Sequence, residues 1–309
     1  CGSMAFDTIM VFDGRFKDHI LPDKVHMLNV AFQVPQLRRE FGGCAGNIAY
    51  SLKLLGGEGA PMATVGKDFG AYAPWLEKHA IDNRYILAVN DTYTAQAYIT
   101  TDKDDNQITA FHPGAMNESH QNTVPVDAGI KLGIVAPDGK EGMLQHAEQF
   151  AAAGIDFLFD PGQGLPLFDS AQLNAFIERA RWVAVNSYEA QMLARNSGLS
   201  LEQIAAKVDA LIVTQGGEGS HIYIQQNRQN RKLIIPAAKA AVVRDPTGCG
   251  DAYRAGLLFG LQNELDWETT GRIASLMGAL KIEHYGTQNH HFTQDEFQQQ
   301  FKNQFGCSF

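Results

Sequence analysis

Residues 245–256 read Asp-Pro-Thr-Gly-Cys-Gly-Asp-Ala-Tyr-Arg-Ala-Gly. Asp251 directly follows Gly248-Cys249-Gly250, and apolar residues then recur at Ala252, Ala255, Leu258, Phe259 and Leu261. The pattern predicts a tight turn feeding a helix. The first turn of a helix leaves backbone N–H groups unpaired and partly positive, which suits a phosphate. A carboxylate beside such a corner repels phosphate unless it has a task there. Taking the proton of a hydroxyl that attacks the phosphoryl group is one. The plain alternative is an N-cap at Asp251 and an ordinary glycine turn.

A second glycine-rich stretch, Phe41-Gly42-Gly43-Cys44-Ala45-Gly46-Asn47, also opens a helical pattern, with Leu52, Leu54 and Leu55 behind it. Small residues for helix packing explain it as well as a backbone cradle for substrate hydroxyls does. Asn186-Ser187-Tyr188-Glu189 and Val213-Thr214-Gln215-Gly216-Gly217-Glu218-Gly219 each follow a strand-like run. Glu189 alone reads as a surface carboxylate, and the second run alone as a hairpin turn. Walker A spacing is absent at Gly66-Lys67-Asp68, and no strand leads into a dinucleotide-binding glycine triplet. His284, His290 and His291 have no accompanying carboxylate cluster, which argues against a metal.

The two glycine stretches together resemble the N- and C-terminal signatures of the ribokinase-like (PfkB) family of carbohydrate and nucleoside kinases. Cys249 stands where that family usually has Ala. The resemblance implies an ATP-dependent phosphotransferase acting on an alcohol, with Asp251 as the base. Gly248, Cys249 and Gly250 would offer N–H groups to the transferred phosphoryl group. Asn186, Thr214, Gly216 and Gly219 would approach ATP, and Glu189 would help place Mg²⁺ through water. A K⁺ site near Val243 and Asp245 is also allowed.

Further stretches are similar to bacterial adenosine kinases of this type: Gly2-Ser3-Met4-Ala5-Phe6-Asp7, Thr100-Thr101-Asp102, residues 111–116, Asp160-Pro161-Gly162-Gln163 and Gly286-Thr287-Gln288. They imply phosphorylation of the 5′-hydroxyl of adenosine. Ser3, Asp7, Gly42, Gly43 and Asn47 would bind the ribose, Phe111 would stack on the purine and Gln163 would read its edge. The chain departs from the group at Gly164 and Ala97, where the base would sit. A fructose or ribose kinase is the alternative, and a non-catalytic nucleoside sensor is the alternative of another class.

The elements that must position these residues follow from periodicity. Strand-like runs at 132–135, 157–159, 182–185 and 210–214 alternate with helical runs at 141–153, 170–179, 187–195 and 201–206. This order predicts a mainly parallel sheet covered by helices. Residues 7–12 and 61–66 read as strands, 72–79 as a helix, and 94–101 with 107–111 as a hairpin. Residues 25–35 alternate like a strand exposed on one face. The expected division is an α/β core (1–10, 41–90 and 114–309) with a small β lid (11–40 and 91–113). The lid is expected to close over substrate and to pair with that of a second subunit.

With 309 residues, 45% of them hydrophobic, the chain can bury one large core. A net charge of −9 disfavours a nucleic-acid partner. No apolar run is long enough for a membrane span. Cys1, Cys44, Cys249 and Cys307 lack paired spacing, and no signal pattern is visible, so the cytosol is expected. The opening Cys-Gly-Ser-Met fits either extra residues before an initiator Met4 or a native Gly2-Ser3 whose strand starts upstream. The match of residues 2–7 to the adenosine kinase group favours the second.

Overall fold

The structure is a computed structural model that describes residues 1–20, 29–104, 106–226 and 229–309. Among the described residues, two larger sheets and one small one carry the fold. In the first, β1 (Ala5–Val11) lies between β2 (Gln36–Gly42), antiparallel to it, and β5 (Ala95–Thr101), parallel to it. β6 (Gln107–His112) pairs antiparallel with β5 and forms the edge. β3 (Ala63–Val65) and β4 (Ile86–Ala88) form a parallel pair of their own.

The six-stranded sheet runs β12-β11-β10-β9-β8-β7. Its parallel half is β7 (Gly133–Val135), β8 (Phe157–Phe159), β9 (Trp182–Asn186) and β10 (Ala210–Thr214). β11 (Ser220–Gln226) and β12 (Gln229–Ile235) add an antiparallel edge. Side chains on a strand alternate between faces. Phe157, Phe159, Val183, Val185, Leu211 and Val213 accordingly enter one apolar cluster, while Leu158, Trp182, Ala184, Ala210 and Ile212 enter another. The first is covered by α3 (Lys140–Ala152), α4 (Ser170–Arg179), α5 (Ser187–Ser197) and α6 (Leu201–Ala205). The second is covered by α1 (Cys44–Leu54), α7 (Cys249–Gln262) and α8 (Trp267–Ile282). α2 (Ala73–Lys78) packs with Phe6 and Val65, and α9 (Gln294–Phe305) packs on α8.

The alternating order of the second half is present as the sequence predicts. Two expectations change. Residues 25–28 of the 25–35 segment lie outside the described residues, and 29–35 form no strand; the strand starts at Gln36. Alternation is a weaker guide there than pairing, because β2 has its ladder to β1 from Gln36, opposite Val11, to Gly42, opposite Ala5. β1, assigned to the core as residues 1–10, is hydrogen-bonded in the middle of the four-stranded sheet. Among the described residues, no helix is long and apolar enough to cross a membrane.

Candidate active site

Gly248 caps α7 at φ +78°, a left-handed conformation that suits glycine. The helix therefore starts at Cys249 and puts Asp251 in its first turn. The Cys249 N–H donates to the Pro246 carbonyl at 3.1 Å, which leaves Gly248 and Gly250 as the glycine donors for an anion. Asp251 Oδ2 accepts from Asn47 Nδ2 at 2.8 Å. Burial pushes the Asp251 carboxyl up to about 6; Asp160 adds to the rise, and Asn47, Arg254 and Cys44 pull against it. A carboxylate poised there can accept a hydroxyl proton near neutral pH.

Asn47 is itself clamped. Its Oδ1 accepts from Gln288 Nε2 at 2.9 Å, and Gln288 Oε1 accepts from Trp75 Nε1 at 2.9 Å. Gln288 Nε2 also donates to the Tyr72 hydroxyl, which donates to the Gly42 carbonyl at 3.0 Å. Gly46 makes room for the clamp, because a side chain there would collide with the Tyr72 hydroxyl. Gln288 of the Gly286-Thr287-Gln288 stretch thus orients the amide beside Asp251. Asn47, read from the sequence as a holder of sugar hydroxyls, holds Asp251 with one N–H and has a second on the same nitrogen.

Asp7 stands on β1 next to Gly42, where any Cβ would run into its carboxylate. Burial pushes Asp7 up to about 6, helped by the charges of Asp245 and Glu40. Ser3 faces the start of α1: its Oγ accepts from Cys44 N at 3.2 Å and its carbonyl from Ala45 N at 3.0 Å. That contact gives Ser3 a place at the start of the helix. Gly43, at φ +88°, is the N-cap of the same helix.

Gln163, Asn186, Glu189, Thr214, Gly216 and Gly219 stand at the carboxyl ends of the parallel strands β8, β9 and β10, where ligands of open α/β sheets bind. Asn186 ends β9 beside Thr214, its register partner on β10. Asn186 and Glu189 cap α5 reciprocally, with Asn186 Oδ1 accepting from Glu189 N at 2.8 Å and Glu189 Oε2 accepting from Asn186 N at 2.7 Å. Burial raises the Glu189 pKa, and Arg254, 4.0 Å away, opposes the rise. Gly216 and Gly219 form the turn after Thr214. Gln163 is exposed on the turn after β8, and Phe111 is half-exposed on β6. Neither touches Asp251.

Several partners were not singled out from the sequence. Arg254 is buried one turn after Asp251, and its Nε and Nη2 each donate to Asp160 at 3.0 Å. Spacing of three from Asp251 on a helix was the available signal. Arg38 on β2 lies 3.5 Å from Glu40 and 3.8 Å from Asp245. Asp245 accepts from Thr247 N and Gly286 N, each at 2.9 Å. Burial works against its charged form, yet these donors and Lys281 hold it below its ordinary value. A cavity of about 820 Å³ lined by Ile48, Leu52, Met62 and Phe150 contains none of the candidate substrate, catalytic or nucleotide residues.

Residues 7–294 match the family described as pfkB family carbohydrate kinase. The chain is 33% identical over 271 residues, 87% of each sequence, to a nucleoside kinase of Methanocaldococcus jannaschii. The structure of a Burkholderia thailandensis nucleoside kinase in complex with inosine is similar at a TM-score of 0.89 and 50% identity, covering 100% of this chain and 98% of that one. Its complex with ADP-inosine gives a TM-score of 0.86 at 52% identity, over 100% and 96%. With a ribokinase-like fold, a glycine corner at a helix start and a buried carboxylate beside it, this chain belongs to the pfkB family of carbohydrate kinases, phosphotransferases with an alcohol as acceptor.

Proposed function

We propose that the enzyme transfers the γ-phosphoryl group of ATP to the 5′-hydroxyl of a purine nucleoside, with adenosine as a substrate. The observation that carries this reading is one row across the four-stranded sheet. Glu40, Asp7, Ala97 and Phe111 are successive register partners on β2, β1, β5 and β6. Directly opposed residues share a face. Strands lie about 4.8 Å apart, so the Phe111 strand is roughly 10 Å from that of Asp7. A nucleoside spans that distance with its diol on Asp7 and its base on Phe111, over the small side chain of Ala97. A carboxylate accepts from both hydroxyls of a vicinal diol. The relatives named as nucleoside kinases, one of them solved with inosine, support the same class of acceptor.

In this reading Gly43 and Asn47 complete the ribose site and Gln163 meets the base edge. Asp251 takes the 5′-hydroxyl proton, while the N–H groups of Gly248 and Gly250 and the start of α7 stabilise charge on the phosphoryl oxygens. Asn186, Thr214, Gly216 and Gly219 approach ATP. No group of three His, Cys, Asp or Glu able to hold a metal exists among the described residues. Glu189, a single partly buried carboxylate at the start of α5, fits an Mg²⁺ that would arrive on the ATP phosphates and be reached through water. Bound there, Mg²⁺ would neutralise phosphate charge.

The test is ADP release across adenosine, inosine, guanosine, ribose and fructose. Nucleosides should exceed the sugars in kcat/KM by about 10² or more, since a free sugar leaves Phe111 without a partner. Phe111→Ala should raise KM for adenosine by about 10-fold with little change for ATP, as stacking contributes roughly 1–3 kcal/mol. Faster turnover of ribose or fructose than of every nucleoside would reverse the assignment. We also infer a homodimer through the four-stranded sheet, whose edge strand β6 is exposed along its whole length. Light scattering should give twice the chain mass; a monomer at high concentration would remove this inference.

A further inference from the structure

Lys281, in the last turn of α8, is fully buried. Buried ammonium groups persist only with partners. Its Nζ donates to the backbone carbonyl of Asp245 at 2.7 Å and to that of His284 at 3.3 Å. Burial lowers its pKa, while Asp245, Cys249 and Asp251 favour the charged form. Both carbonyls border the phosphoryl corner. Asp245 opens the run that leads to Gly248, and His284 precedes Gly286, whose N–H donates to Asp245 Oδ2 at 2.9 Å. The N–H groups of Arg244 and Asp245 both donate to the Ile282 carbonyl, at 2.9 and 3.2 Å. The end of α8 is therefore joined to the loop before Gly248 by backbone and side chain together.

Family resemblance allows K⁺ near Asp245, and the residues present do not fit it on that carbonyl. A monovalent cation needs converging carbonyl oxygens, and the Asp245 oxygen already holds an ammonium at 2.7 Å. Ammonium and K⁺ are close in size. A second cation on the same oxygen would face a like charge in a dry setting. We propose that the Lys281 ammonium is a tethered monovalent cation. It holds the Asp245 and His284 carbonyls together, keeps the loop into Gly248–Gly250 in its phosphoryl-binding shape, and lets the enzyme turn over without K⁺. Lys281 is a positioning residue, and its role does not depend on which alcohol is the acceptor.

The test starts with the wild-type enzyme at constant ionic strength and Mg²⁺, in chlorides of K⁺, NH₄⁺, Na⁺ or tetramethylammonium. Rates should agree within about twofold, the scale of general screening effects. Lys281→Ala opens the position to a free cation. In tetramethylammonium it should lose about tenfold or more in kcat, and K⁺ or NH₄⁺ should restore most of it. Its melting temperature should rise with K⁺ concentration, as for any ligand of the folded state, and that of the wild type should not. Lys281→Met fills the space without charge and should stay impaired in every salt. Activation of the wild type by K⁺ beyond about fivefold over tetramethylammonium overturns the proposal. So does a folded Lys281→Ala that is fully active without K⁺, or one that is impaired and answers to no cation in rate or melting. If the variants do not fold, the wild-type salt series decides.

Discussion

Asp251→Asn should lower kcat by about 10²–10⁴-fold while ATP still binds, because an amide cannot accept the hydroxyl proton. The surroundings make the substitution clean: Asn47 Nδ2 at 2.8 Å can still donate to the amide oxygen. The pH profile gives a second reading. With the carboxyl pushed up to about 6, kcat/KM of the wild type should fall as pH drops through that value. Stability should move the other way. A carboxyl raised from 3.8 to about 6 contributes stability that is present below 3.8 and lost as pH rises through 6. At pH near 7.5 the wild type therefore carries a cost of up to ~3 kcal/mol that asparagine lacks. Asp251→Asn should melt higher at that pH, and the gain should vanish near pH 4. Activity above roughly a tenth of wild type would remove Asp251 as the base.

Arg254→Met should be the most destabilising change near the site. The guanidinium donates twice to Asp160 and once, at 3.3 Å, to the Ala184 carbonyl, with both charged side chains almost fully buried. Removing it leaves the Asp160 charge without its partner, at a cost of about 3–5 kcal/mol. Arg254→Met combined with Asp160→Asn should recover part of that loss, because no bare charge remains. Urea unfolding of the two singles and the double measures the coupling. A single variant within about 1 kcal/mol of wild type, the scale of an exposed pair, would show that the pair is solvated. Turnover should fall as well, since Asp160 and Arg254 both act on the charge of Asp251.

Local signals were legible in the sequence. The β-α order of residues 132–214, the hairpin and the turn at Gly248-Cys249-Gly250 are set by neighbours within a few positions. Some local signals went unused. Thr293 and Glu296 cap α9 reciprocally, and Asp266 caps α8, both in recognisable spacing. The start of β2 was not legible, because residues 29–35 alternate without forming a strand, while pairing with β1 selects residues 36–42.

The sequence alone determined the chemistry on offer: a glycine-flanked helix start suited to phosphate, a carboxylate beside it and a parallel sheet to carry both. These follow from backbone preferences and residue periodicity, which act over a few residues. Tertiary structure decided which groups control that carboxylate. Asn47 reaches Asp251 across 204 positions, Gln288 reaches Asn47 across 241, and Arg254 reaches Asp160 across 94. It also set Asp7 and Phe111 in one row and placed the Lys281 ammonium on the Asp245 carbonyl. No local propensity encodes such contacts. They arise because a buried polar group must find a partner, and only the packed chain fixes which one is within reach.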